Sequence, residues 1–290
     1  MKTNLPTTFF NGVFFLLISF VLNACSIVEP PSPIPTYVSI ESIQLTTDYA
    51  TQGSNANKIT DAWVLIDGVY LGTFPLPCKF PISGTGTHKI TVKAGIVIDG
   101  ISGMRAAFPK YANFDTTITD MIAAKTYSIH PIIRYETYVT FPIMEDFDDA
   151  SLNLVKTTQG NTPITIITPP DPNVFEGNSG KVTLVDTNTV FEVAGNLPYY
   201  LPVTTLSYVE LNYKSDIDFV VGTYITTSSV TKWELLSVRA SNSWKKIYIN
   251  LNDLGGVISN GLAYNIYLRA EKPANLTTAN LYFDNFKVVY

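Results

Sequence analysis

The chain has 290 residues, a formal net charge of −5, 15% charged residues and 12% aromatics. Nucleic acid would require a basic face, which this balance excludes, and no basic run marks a lipid-headgroup patch. Tyr, Thr, Val and Ile suit a pleated, half-buried surface and long helical periodicity is absent, so the expected class is all-β.

Lys2 is the only charge before Glu29. An apolar run from Phe9 to Leu22 is interrupted by Asn11 and Gly12, and its clean part, Val13–Leu22, is ten residues. A spanning helix needs roughly 20. A charged start, a short apolar core and a small residue at the end define an export signal over residues 1–24. Leu22-Asn23-Ala24-Cys25 resembles a bacterial lipobox. The resemblance implies cleavage before Cys25 and acylation of its thiol, as in Bacteroidetes-type lipoproteins; the plainer reading is a signal peptide that ends near a cysteine. Each buried methylene adds about 0.8 kcal/mol and stable anchoring takes more than one chain. Ser26 stands where such lipoproteins carry an inner-membrane retention aspartate, which implies the outer membrane. The lone Glu29 leaves both its periplasmic and its surface face open.

Residues 25–36 carry Pro30, Pro31, Pro33 and Pro35. They read as a lipidated tether in polyproline II form, at about 3.1 Å per residue a stalk of roughly 30 Å. With Cys25 acylated, Cys78 has no intrachain partner and reads as a small buried hydrophobe.

Residues 37–138 form the first expected domain. Alternating or apolar runs cover Tyr37–Leu45, Ala62–Ile66, Val69–Thr73, His88–Lys93, Phe114–Ile118 and Lys125–Arg134, with turn signals at Asp67-Gly68 and Ser83–Gly86. An Asp-Gly between apolar strands predicts a hairpin, and several short strands so spaced predict a β-sandwich. The stretch Trp63–Thr73, then Pro75, then Gly86-Thr87-His88 before an apolar strand, resembles a PEGA-type domain. The resemblance implies a transthyretin-like spacer without chemistry of its own, in which His88 and His130 are structural. Gly95–Gly103 is longer than that pattern.

Residues 139–290 form the second. Met144–Asp148 and Leu281–Val289 resemble the first and last strands of jelly-roll modules that bind carbohydrate or sit beside glycan-active enzymes. Between them, Val209, Leu211 and Tyr213 oppose Glu210, Asn212 and Lys214, and Ile247, Ile249 and Leu251 oppose Lys246, Tyr248 and Asn250. That alternation predicts one dry face and one wet face.

Neither a nucleophile with its base nor a Cys/His cluster with metal-ligand spacing is present, so a non-enzymatic protein is expected. Carboxylates cluster in Glu145-Asp146-Asp148-Asp149 and at Asp216 and Asp218. They read as solvated strand ends or, by resemblance to jelly rolls, as a structural calcium site on Glu145, Asp146 and Asp284. Calcium takes six to eight oxygens. For a sugar, aromatic faces and a few placed polar groups are needed. Trp233, Tyr224 and the loop pair Tyr199 and Tyr200 are the candidates, while Trp244 reads as packing. Three functions therefore stand open, in this order: a lipid-anchored module binding a polysaccharide or other surface ligand, an assembly protein contacting envelope proteins only, and last a glycan-active enzyme.

Overall fold

A computed structural model describes residues 34–202, 204–252 and 261–290. The expected export signal, Cys25 and most of the expected tether lie outside these. Among the described residues no helix is long and apolar enough to cross a membrane, and the regular secondary structure is almost entirely strand.

The N-terminal half contains β1 (Thr36–Ile40), β2 (Gln44–Leu45), a four-residue helix α1 (Tyr49–Gln52), β3 (Asp61–Ile66), β4 (Val69–Pro75), β5 (Cys78–Ile82), β6 (Gly86–Val97), β7 (Arg105–Ala107), β8 (Phe114–Met121), β9 (Thr126–Ile129) and β10 (Ile132–Ile133). β1 lies in the middle of a three-stranded sheet, antiparallel to β5 and parallel to β9. The second sheet runs β4-β3-β6-β7, with β8 also on β6. Every second residue points inward, so Val38, Ile40, Val64, Phe80, Ile90 and Val92 meet in one core. Asp67 and Gly68, at φ 50° and 82°, make the β3–β4 turn, the left-handed pair that a two-residue hairpin needs. The Asp67 carboxylate ties this turn to β6, meeting His88 Nδ1 at 2.7 Å and accepting from Lys89 N at 2.8 Å. His88 is thus a turn clamp. His130 is exposed just beyond β9, and Cys78 is half-buried at the start of β5.

The C-terminal half contains β11 (Ile143–Glu145), β12 (Leu154–Lys156), β13 (Thr165–Ile167), β14 (Ser179–Leu184), β15 (Val190–Gly195), β16 (Tyr208–Ser215), β17 (Phe219–Thr226), β18 (Val230–Val238), β19 (Ser241–Asn250), β20 (Ala263–Glu271) and β21 (Ala279–Val289). They form two sheets. One runs β13-β14-β21-β16-β19 with β11 also on β21, the other β12-β15-β20-β17-β18. β11 pairs antiparallel with β21, so the opening and closing strands do lie side by side. The core between the sheets holds Val209, Leu211, Ile247, Ile249, Phe283 and Phe286 from the first, and Phe191, Phe219, Val221, Ile266 and Leu268 from the second.

The outer face of the β16-containing sheet is not wet. Glu210, Asn212, Lys246, Tyr248 and Lys287 are all buried, because the N-terminal half sits on them. Tyr208, Tyr248 and Val289 belong to the N-terminal half's own core. Phe108 meets the rings of Tyr208 and Tyr248 at 4.9 and 5.3 Å. Buried charge is admissible here only because it is partnered. Tyr135 donates to Glu210 Oε1 at 2.8 Å, Lys246 Nζ lies 3.1 Å from Glu210 Oε2, and Lys287 Nζ donates to the Ser54 carbonyl at 2.6 Å. Alternation read from the sequence identifies which residues leave the sandwich core, but not what then covers them.

Candidate ligand-binding face

With one side of the sandwich covered, the outer face of β12-β15-β20-β17-β18 is the side left facing outward. Register places its residues. Opposite pairs Glu192–Arg269, Ala194–Tyr267, Gly222–Tyr267, Tyr224–Asn265 and Tyr224–Lys232 all point outward, since facing residues on neighbouring strands share a side.

At its centre stands Glu192, whose side chain is 0% exposed. It receives Tyr224 Oη at 2.5 Å, Thr157 Oγ1 at 2.7 Å, Lys232 Nζ at 2.5 Å and Arg269 Nη1 at 3.1 Å. Burial pushes its carboxyl up, but these donors outweigh burial and hold it below the usual range. Burial, and then the bond to Glu192, push the Tyr224 phenol up to about 12. The rings of Tyr224 and Tyr267 lie 5.2 Å apart, and Lys232 Nζ sits 4.6 Å from the centre of Tyr267; Tyr267 is 0% exposed, whereas Tyr224 is half-buried. Tyr267 lies flat on the sheet because Gly222 beneath it has no side chain; a methyl group there would overlap the phenol. Beside this platform, Tyr267 Oη and Asn265 Oδ1 are buried without a protein partner. Such atoms normally find one.

Of the residues singled out from sequence, Tyr224 is in this face. Trp233 is half-exposed but on the other pleat: it pairs with Thr223, whose side chain belongs to the buried side, whereas Lys232 and Glu234 point outward. A bulge between Val221 and Gly222 sets that register. Tyr199 is not a free loop residue. Its main chain pairs with Tyr264 at 2.8 and 2.7 Å, its ring packs on the sandwich core, and its hydroxyl accepts from Ile266 N at 3.3 Å. Tyr200 is exposed next to it. Trp244 packs between Phe175 and Tyr282. Glu192, Lys232, Asn265, Tyr267 and Arg269 were not expected. Their signal was available in Tyr264–Arg269, where Asn265, Tyr267 and Arg269 alternate with Tyr264, Ile266 and Leu268.

The carboxylates expected to bind calcium do not converge. Glu145 Oε1 accepts from Phe147 N at 2.9 Å, and its Oε2 from Asn153 N at 2.5 Å and Leu154 N at 3.3 Å. Asp146 Oδ1 accepts from Asp148 N at 3.2 Å. Asp284 accepts from Ser179 Oγ and from Asn285 N, each at 2.7 Å. Although β11 lies beside β21, Glu145 faces Phe286, and Asn285 at φ 49° turns the chain between that residue and Asp284. These carboxylates tie the chain to itself. Asp216 and Asp218 likewise accept from Asn280 N and Ala240 N, at 2.8 Å each. Among the described residues no group of three or more His, Cys, Asp or Glu is placed to hold a metal ion.

This is an all-β protein with a two-sheet sandwich whose free sheet carries an aromatic and charged platform. No family model matches the chain, and no curated protein does. Solved structures resemble it in part. A family 29 carbohydrate-binding module aligns with 53% of this chain and 86% of its own, at 9% identity and a TM-score of 0.35. The family 30 carbohydrate-binding module of a cellulosomal cellulase of Clostridium thermocellum aligns with 51% of this chain and 92% of its own, at 12% identity and a TM-score of 0.33. The enzymatically active domain of bacteriophage CBA120 tailspike protein 4 aligns with 49% and 20%, at 9% identity and a TM-score of 0.37.

Proposed function

We propose that this chain is a lipid-anchored, non-enzymatic envelope protein of the outer membrane that binds glycan on the outer face of its free sheet. Residues 25–36 serve as the tether, 37–138 as a spacer and 139–290 as the binding sandwich. The observation that carries the reading is the platform of Tyr224 and Tyr267, ringed by Lys232, Arg269 and Glu192, with Tyr267 Oη and Asn265 Oδ1 unpartnered beside it. The half-buried Tyr224 ring stacks against sugar C–H groups, Tyr267 is buried behind it as support, and fixed charges and an amide meet hydroxyls at the edge. Glu192 is held by four donors, so it orients Lys232 and Arg269 and does not act as a base.

The test is a glycan array probed with the full chain in detergent, beside Tyr224→Ala. Binding to one glycan class that falls at least about tenfold in the variant, roughly 1.4 kcal/mol, supports the reading. A chain that is folded and silent on every neutral and charged glycan favours the assembly alternative. Anchoring is tested separately: Cys25→Ala is expected to lose labelling by a clickable palmitate analogue, and labelling that survives removes the anchor.

A further inference from the structure

A second site lies between the two halves of the molecule. The turn from β6 to β7 reaches across to β19: Asp99 N donates to the Tyr248 carbonyl at 2.7 Å, and Asn250 N to Asp99 Oδ1 at 2.9 Å. Beside this crossing opens a cleft of about 430 Å³. Lys58, Arg239, Lys245 and Lys246 line it, with Tyr213, Ile101 and Leu236 as apolar wall. Lys246 is matched by Glu210 at 3.1 Å. Among the described residues, Lys58, Arg239 and Lys245 have no ion-pair partner. Among the described residues Asp99 is the one carboxylate lining the cleft, and its Oδ1 accepts from Asn250 N at 2.9 Å.

Among the described residues, three cations without an ion-pair partner face one lining carboxylate, a positive balance that runs against the charge of a chain at −5. Like charges around a concave, partly apolar wall repel, and focus a positive potential into the space between them. The volume lies in the range of small-molecule sites and is larger than an inorganic anion requires. The apolar wall offers a surface for a ring. We infer that this interdomain cleft binds an acidic sugar, one that carries carboxylate or sulfate. Lys58, Arg239 and Lys245 take the anionic groups, and Tyr213, Ile101 and Leu236 take the ring. The site is separate from the Tyr224 platform and stands without it.

The experiment is affinity electrophoresis of the full chain in detergent through gels containing polygalacturonate, dextran sulfate or neutral dextran. The variants are Lys58→Gln/Arg239→Gln/Lys245→Gln, a control of equal kind, Lys79→Gln/Lys125→Gln, and Tyr224→Ala. All five changed basic residues are exposed. Retardation of the unchanged chain by polygalacturonate (carboxylate) or dextran sulfate (sulfate ester), but not by dextran, is expected. The triple variant should lose about tenfold or more in affinity, while the control pair and Tyr224→Ala keep theirs. No retardation by either polyanion overturns the inference. So does a triple variant within twofold of the unchanged chain, or a control pair that loses as much as the triple, since the attraction would then be diffuse. Circular dichroism of each variant separates loss of the site from loss of the fold: the triple variant must keep the unchanged spectrum for its loss to count in support. If it does not fold, the single variants, each of which should weaken binding, decide in its place.

Discussion

Asp284 offers a measurement of what burying a carboxyl on the covered sheet costs. Its side chain is 1% exposed, and burial drives its carboxyl up to about 7 from 3.8, against the bonds from Ser179 and Asn285, with Glu176 adding repulsion. The folded state therefore holds a proton that the unfolded chain releases near pH 4. Below pH 4 both states are protonated. Between 4 and 7 the folded state binds more protons, so stability falls as pH rises, and above 7 the loss is complete. At about 1.4 kcal/mol per pH unit the loss approaches roughly 4 kcal/mol. Asp284→Asn keeps the shape, accepts from Asn285 N and donates to Ser179 Oγ, and has nothing to titrate. Urea unfolding of both proteins from pH 4 to 8 should show near equality at pH 4 and an advantage of a few kcal/mol for the variant at pH 8. Curves that stay parallel across the range refute the argument. Calcium should shift neither midpoint relative to the other, because the carboxylate oxygens already have donors.

Other perturbations have equally definite expectations. Lys287, held down to about 8 by burial, has the opposite sign: its folded state binds fewer protons between pH 8 and 10.5, so stability should recover there, leaving a minimum near pH 7 to 8 when the titration is extended to pH 10.5. Gly222→Ala should cost about 1–3 kcal/mol by overpacking, read as a lower urea midpoint, and should weaken glycan binding by displacing Tyr267; an unchanged midpoint would show that the ring can move. Tyr135→Phe leaves Glu210 Oε1 without its 2.8 Å donor and should cost about 1–3 kcal/mol. A fragment of residues 139–290 alone exposes Glu210, Tyr248 and Lys287 and should melt below the full chain; an equal midpoint would mean that the covering half contributes nothing.

Much of the layout was legible. The runs Ser179–Leu184, Ile217–Ile225, Trp244–Leu251 and Tyr264–Arg269 fall on β14, β17, β19 and β20, because a period of two is a direct imprint of which side chains must leave water. The pairing of Met144 with the closing strand was legible only through the resemblance to jelly-roll modules. Register was not. A bulge beside Gly222 decides that Lys232 and not Trp233 faces outward, and no local pattern announces it. The covered outer face was also hidden, since Glu210 and Lys246 look like solvated charges until a second body supplies Tyr135. Tyr248 and Val289, apolar on that face, were the available warning.

The position of β1 has a mechanical consequence. It begins at Thr36, whose hydroxyl bonds the carbonyls of Gly84 and Ile122, and it is flanked on both sides along its length by β5 and β9. A pull on the residues before it, directed along the strand, loads the hydrogen bonds of two interfaces together and not one after another. Rupture then requires sliding a central strand out of its sheet, a slow event governed by the unfolding barrier and not by the equilibrium. The first described strand is built to bear tension.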